Sequence, residues 1–107
     1  MRRQKLWLFL ALAAAACAGQ VPRPTASQVQ RATERWPGVT AASLEKGRSL
    51  YVLKCSGCHN LRLPMAYSAE RWPSILDKMQ VKAKLSDDQK MAILHYVLSI
   101  REQGAPQ

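Results

Sequence analysis

This chain is poor in the residues and patterns that several chemistries require. It has three cysteines and two histidines in 107 residues. A structural zinc centre takes four such ligands. With Cys55, Cys58 and His59 set aside as one cluster, only Cys17 and His95 remain. No segment around that cluster alternates apolar and polar residues over a strand's length, which removes the βαβ setting of a redox dithiol. No apolar run is long enough for a comfortable transmembrane helix. Acidic residues are scarce, seven against sixteen lysines and arginines, for a formal charge of +9. There are no internal repeats, and the one low-complexity tract is an alanine run near the N-terminus.

What is present is concentrated in one pentapeptide, Cys55-Ser56-Gly57-Cys58-His59. This C-x-x-C-H spacing is the pattern by which c-type haem is attached. Two thiols three positions apart on a helical turn each form a thioether to one haem vinyl group. The adjacent histidine reaches over the porphyrin face as the proximal iron ligand. A redox dithiol, a zinc site and a plain disulfide are the other uses of C-x-x-C. The first two lack their context here, and the third leaves His59 without a purpose. The pentapeptide therefore predicts one haem c, held by Cys55 and Cys58 and ligated by His59.

The N-terminus agrees with this reading, because c-type haem is attached outside the bacterial cytoplasmic membrane. Arg2, Arg3 and Lys5 form a positive region, Leu6 to Leu12 an apolar run, and small residues close it, as in a signal peptide. Two cleavage readings stand. Ala14-Ala15-Ala16-Cys17 is similar to a lipobox, with Cys17 lipidated and the first position Ala in place of Leu. Ala16-Cys17-Ala18 is an ordinary A-x-A-like site. The lipobox gives the third cysteine a purpose and is the expectation carried forward; several acyl chains anchor a protein stably where one does not.

The mature part, roughly ninety residues, is one small domain plus a tether. A core of that size needs a staple, and a covalently bound haem would be one. Its basic balance fits an acidic redox partner or an anionic membrane surface, or serves solubility alone. Nucleic acid is not expected, since an exported protein rarely meets it.

Along the chain, Ala18 to Ala26 with Pro22 and Pro24 reads as a flexible or extended linker. Ser27-Gln28-Val29-Gln30 reads as a capping box opening a short helix that ends near Arg35, packed through Val29 and Trp36 or serving as a spacer. Ser43 caps a helix running into the pentapeptide, with Leu44, Gly47, Leu50, Tyr51 and Lys54 at helical spacing. Asn60 to Tyr67 reads as a loop. A helix follows from Ser68 to about Gln80, with Trp72, Ile75, Leu76 and Met79 on one face and Pro73 in its first turn, or with a later start. Val81 to Leu85 is a basic connection. Ser86-Asp87-Asp88-Gln89 is a second capping box, opening a helix that carries Met91, Leu94, Val97, Leu98 and Arg101. Gly104 and Pro106 end it.

Helix, C-x-x-C-H, loop, helix and a C-terminal helix with the run Ile-Leu-His-Tyr-Val-Leu resemble the class I c-type cytochromes over Ser43 to about Glu102. The resemblance implies an all-α, cytochrome c-like fold of three to four helices around one covalent haem. It divides the chain into a signal peptide (1–16), a tether (17–42), a haem domain (43–103) and a tail (104–107). In that family a glycine and an aromatic of the first helix pack on the last, which fits Gly47 and Tyr51 against Leu94 and Tyr96. The family's sixth ligand is a downstream methionine, and the resemblance assigns it to Met79. Met65 lies close behind His59, Met91 reads as core, and His95 would give bis-histidine ligation. The family also uses a proline carbonyl to orient the proximal histidine; Pro64 is the candidate, although the usual Gly-Pro pair is missing. Trp72 reads equally as a haem contact or as core.

The resulting expectation is a periplasmic, membrane-tethered carrier of single electrons, not an enzyme in its own right. Lys54, Lys78, Lys82 and Lys84 are expected to form a basic rim for an acidic redox partner. The alternative is a haem-based sensor with an open or labile sixth site. The chain shows no distal acid–base pair that a peroxidase would use.

Overall fold

The computed structural model describes residues 21–55 and 63–102. The calls on Cys17, Cys58, His59, the signal peptide and the C-terminal stop lie outside those residues. The described chain is all-α: α1 (Ala26–Arg35), α2 (Ala41–Cys55), a 3-10 turn (Pro64–Ala66), α3 (Trp72–Lys82) and α4 (Asp87–Arg101), with no strand among the described residues.

Each helix starts where a side chain can take up its free N–H groups. In α1 the cap is Thr25, not Ser27. Thr25 Oγ1 accepts from the Gln28 N–H at 3.2 Å, and Gln28 Oε1 accepts from the Thr25 N–H at 2.9 Å. The chain before it is held extended, so the first turn opens immediately after Thr25. In α2 the cap is Thr40, and Ser43 is the reciprocating residue: Thr40 Oγ1 accepts from the Ser43 N–H at 3.1 Å while Ser43 Oγ accepts from the Thr40 N–H at 2.8 Å. The Ser86–Gln89 capping box opens α4 as expected, with Asp87 and Asp88 in the first turn, where the helix dipole favours acids.

Helix α3 takes the later of the two starts, at Trp72, because Pro73 is tolerated only in a first turn. It also runs on through Val81 and Lys82, which the sequence assigned to a connection. It ends in a Schellman-type turn, with the Leu85 N–H donating to the Gln80 carbonyl at 3.0 Å. Lys84 stands in this turn at φ 54°, the left-handed position glycine usually takes.

Helices α2 and α4 cross at Gly47. A Cβ there would stand 2.1 Å from the Ala92 carbonyl oxygen and 2.9 Å from the Tyr96 Cβ. The crossing turns Ile93, Tyr96, Val97 and Ile100 inward, a stripe at i, i+3, i+4 and i+7. Met91, read as core from the sequence, is 41% exposed. The run from Met91 to Ile100 is apolar enough to offer several stripes, and the close approach at Gly47 selects among them. Full burial of each large apolar side chain here contributes about 2 kcal/mol.

The segment ahead of α1 is extended but docked. Val21 is 2% exposed and belongs to the main core. Its carbonyl accepts from Arg48 Nε at 3.1 Å and from the terminal nitrogen NH2 at 3.0 Å. The Pro22 carbonyl accepts from the Tyr96 hydroxyl at 2.6 Å. A smaller cluster of Ala32, Val39 and Leu44, with Val29 and Trp36 against it, fastens α1. Residues 21–39 therefore pack on the helices that follow.

Candidate functional site

Cys55 is the last residue of α2, one helical turn after Tyr51, so both side chains lie on one face. That face, one face of α3 and Tyr67 between them line an apolar pocket. Helix α2 supplies Tyr51 and Cys55; α3 supplies Trp72, Ile75, Leu76 and Met79. The pocket is partly open, with a cavity volume of about 100 Å³.

The walls are locked by aromatic packing. Trp72 meets Tyr51 edge-on with centroids 6.2 Å apart and Tyr67 edge-on at 5.4 Å. Arg71 covers the outer face of Tyr67 at 5.2 Å. The Trp72 indole N–H donates to the Pro64 carbonyl at 2.9 Å, and the Arg101 guanidinium donates to the same oxygen at 3.3 Å. That carbonyl therefore already has two donors. The expectation that Pro64 orients His59 involves a residue outside the described ones. Trp72 is buried core, and it also lines the pocket.

Of the four candidates for the sixth ligand, Met79 alone lines the pocket. Met65 is 52% exposed on the 3-10 turn, its sulfur 3.6 Å from Arg101. Met91 lies at the surface of α4. His95 stacks on Trp36 at 4.7 Å, on the side of α4 that receives α1. The structure thus brings Cys55 and Met79 together from separate helices and leaves Met65, Met91 and His95 elsewhere.

Burial sets the electrostatics of the pocket. It pushes the Cys55 thiol up to about 11. Such a thiol is neutral at ordinary pH, unlike the exposed low-pKa thiolate of dithiol redox chemistry. Burial raises the Tyr51 phenol too, with Cys55, Tyr96 and Tyr67 adding to the effect. Among the described residues no three His, Cys, Asp or Glu come together to hold a metal ion. Lys54, Lys78, Lys82 and Lys84 are all exposed. Lys78 and Lys82 are one turn apart on α3, on either side of Met79 in sequence.

Two contributors escaped the sequence reading. Tyr67 was assigned to the end of a loop, and its only signal is an aromatic beside Trp72's helix. Arg48 carried no signal, since an arginine at helical spacing reads as surface.

No helix among the described residues is long and apolar enough to cross a membrane. No protein-family model matches the chain, and no curated protein or solved structure matches it either.

Proposed function

We propose that this chain is an exported monohaem c-type cytochrome that passes single electrons between redox partners, tethered to a membrane through Cys17. One observation carries the reading: Cys55, the first cysteine of the C-x-x-C-H pentapeptide, lines the same apolar pocket as Met79. The lining suits the group. It offers a neutral thiol, a thioether and a buried Tyr51 hydroxyl with no partner among the described residues, within apolar walls. The cavity, about 100 Å³, is smaller than a porphyrin, so only one edge of the plate would enter it.

Cys55 and Cys58 would hold the haem covalently, and His59 and Met79 would ligate its iron. When bound, the haem supplies an iron that alternates between ferric and ferrous forms. The protein's part would be to supply both iron ligands and to keep water out. Met79 paired with a histidine favours the reduced state relative to two histidines. Trp72, Ile75 and Leu76 exclude solvent from the pocket. The exposed lysines Lys54, Lys78, Lys82 and Lys84 steer an acidic partner towards it.

The test is a visible spectrum of protein expressed with c-haem maturation, oxidised and reduced, then under carbon monoxide. The expected result is a low-spin six-coordinate spectrum, inert to carbon monoxide, with a weak red-end ferric band that Met79→Ala abolishes. Rapid carbon monoxide binding by a high-spin form would replace the carrier with a ligand-binding sensor. Protein without covalent haem would sink both.

A further inference from the structure

Met65 is 52% exposed on the 3-10 turn, and its sulfur lies 3.6 Å from a terminal nitrogen of Arg101, NH1. The same nitrogen donates to the Pro64 carbonyl at 3.3 Å. That carbonyl also accepts from the Trp72 indole at 2.9 Å, and Trp72 is a wall of the pocket. One guanidinium at the end of α4 thus reaches the first two residues of the turn.

Its two acceptors are unequal. A carbonyl oxygen accepts well, whereas a thioether sulfur is a weak acceptor. The arginine therefore gains little from Met65 as it stands. Oxidation changes the atom it meets. A methionine sulfoxide carries a polar S–O group, and its oxygen is a strong acceptor. A guanidinium donating to that oxygen makes a charge-assisted bond, stronger than one between neutral groups.

The sulfur is also open to an oxidant. Met79, by contrast, lines the pocket. With hydrogen peroxide, a sulfur lone pair attacks one peroxide oxygen. An S–O bond forms and the O–O bond breaks. The departing oxygen takes the proton of the attacked one and leaves as water. The sulfur is oxidised by two electrons, the peroxide is reduced, and methionine sulfoxide reductases reverse the change.

We propose that Met65 is a reversible oxidation site for peroxide, and that its sulfoxide oxygen is held by the Arg101 guanidinium, latching the 3-10 turn to α4. Oxidised methionine commonly disrupts the packing around it. Here oxidation tightens the fold. The inference uses no haem and stands apart from the function proposed above.

The test treats the full chain, as expressed, with dilute hydrogen peroxide and locates the added oxygen by peptide mass spectrometry. Met65 should gain one oxygen. The folding equilibrium constant, from denaturant unfolding, should rise by roughly threefold or more, the effect of one added hydrogen bond to a charged group. A methionine sulfoxide reductase should return it to the starting value. Met65→Leu and Arg101→Gln should each abolish the rise. Unchanged or lower stability of the oxidised protein overturns the proposal. So does an equal rise in Met65→Leu, which would place the effect at another methionine, and so does oxidation of Met91 with Met65 untouched. Should Arg101→Gln fail to accumulate, Met65→Gln is the second probe, since it sets an amide oxygen near the place of the sulfoxide oxygen without any oxidant. It should be more stable than Met65→Leu, and equal or lower stability overturns the latch.

Discussion

The backbone of Ala92 passes so close to Gly47 that its carbonyl oxygen stands 2.1 Å from where a Cβ would be. The atom in the way is backbone, so no side-chain rotation relieves the clash. Gly47→Ala should force α2 and α4 apart and destabilise the fold by roughly 3 kcal/mol. Denaturant unfolding of the variant checks this; a midpoint unchanged from wild type would show that the helices do not cross there.

Arg48 fastens the docked N-terminal segment through two bonds to one carbonyl, at 3.1 and 3.0 Å. Arg48→Met keeps an apolar stem but leaves the Val21 carbonyl without those donors. The expected loss is about 2 kcal/mol or more. A chain beginning at Ser43 should fare worse, since it lacks Val21, Ala32 and Val39 from both clusters. A shortened chain as stable as the full one would return residues 21–42 to the role of a plain linker.

His95 supplies a pH dependence. Burial against Trp36 lowers its pKa from the ordinary 6.5, so the folded state holds its proton less well than the unfolded chain does. The associated stability is present above about pH 6.5 and is lost as pH falls through the lowered folded value. Unfolding midpoints measured from pH 7.5 down to pH 5 should therefore decline, and His95→Gln should flatten the His95 share of that decline. An identical slope in the variant would place the titrating group elsewhere.

On the proposed function, charge reversal at Lys82 and Lys84 should slow electron exchange with an acidic redox partner at low salt, and the difference should shrink as salt is added. Stopped-flow rates over a salt series measure this. Unchanged rates at low salt would remove the lysines from partner steering.

The sequence made the parts with a repeating signature legible. Trp72, Ile75, Leu76 and Met79 have helical spacing, and they line one pocket. Ser86 and Gln89 are a reciprocal pair, and they cap α4. Gly47 and Tyr96 face one another across the crossing. Features set by competition between similar candidates were not legible. Thr25 and Ser27 lie two residues apart and Thr40 and Ser43 three, and either side chain of each pair satisfies the composition of a cap. Only the docked chain before α1 decides in favour of Thr25. The apolar run of α4 likewise hides its buried stripe until α2 is laid against it. The role of Arg48 and the burial of Tyr51 depend on contacts between residues distant in sequence, which no local pattern records.

The docked segment bears on how such a protein would meet its partner. Cys17 precedes Val21 by four residues, which span at most roughly 14 Å. With Cys17 lipidated, as proposed, the helices would be moored short: no long arm would let them swing away from the bilayer. Encounters would be confined to a thin layer above the lipid headgroups, and the search for a partner would become nearly two-dimensional. A partner reachable on such a leash would have to present its own redox centre close to the membrane plane.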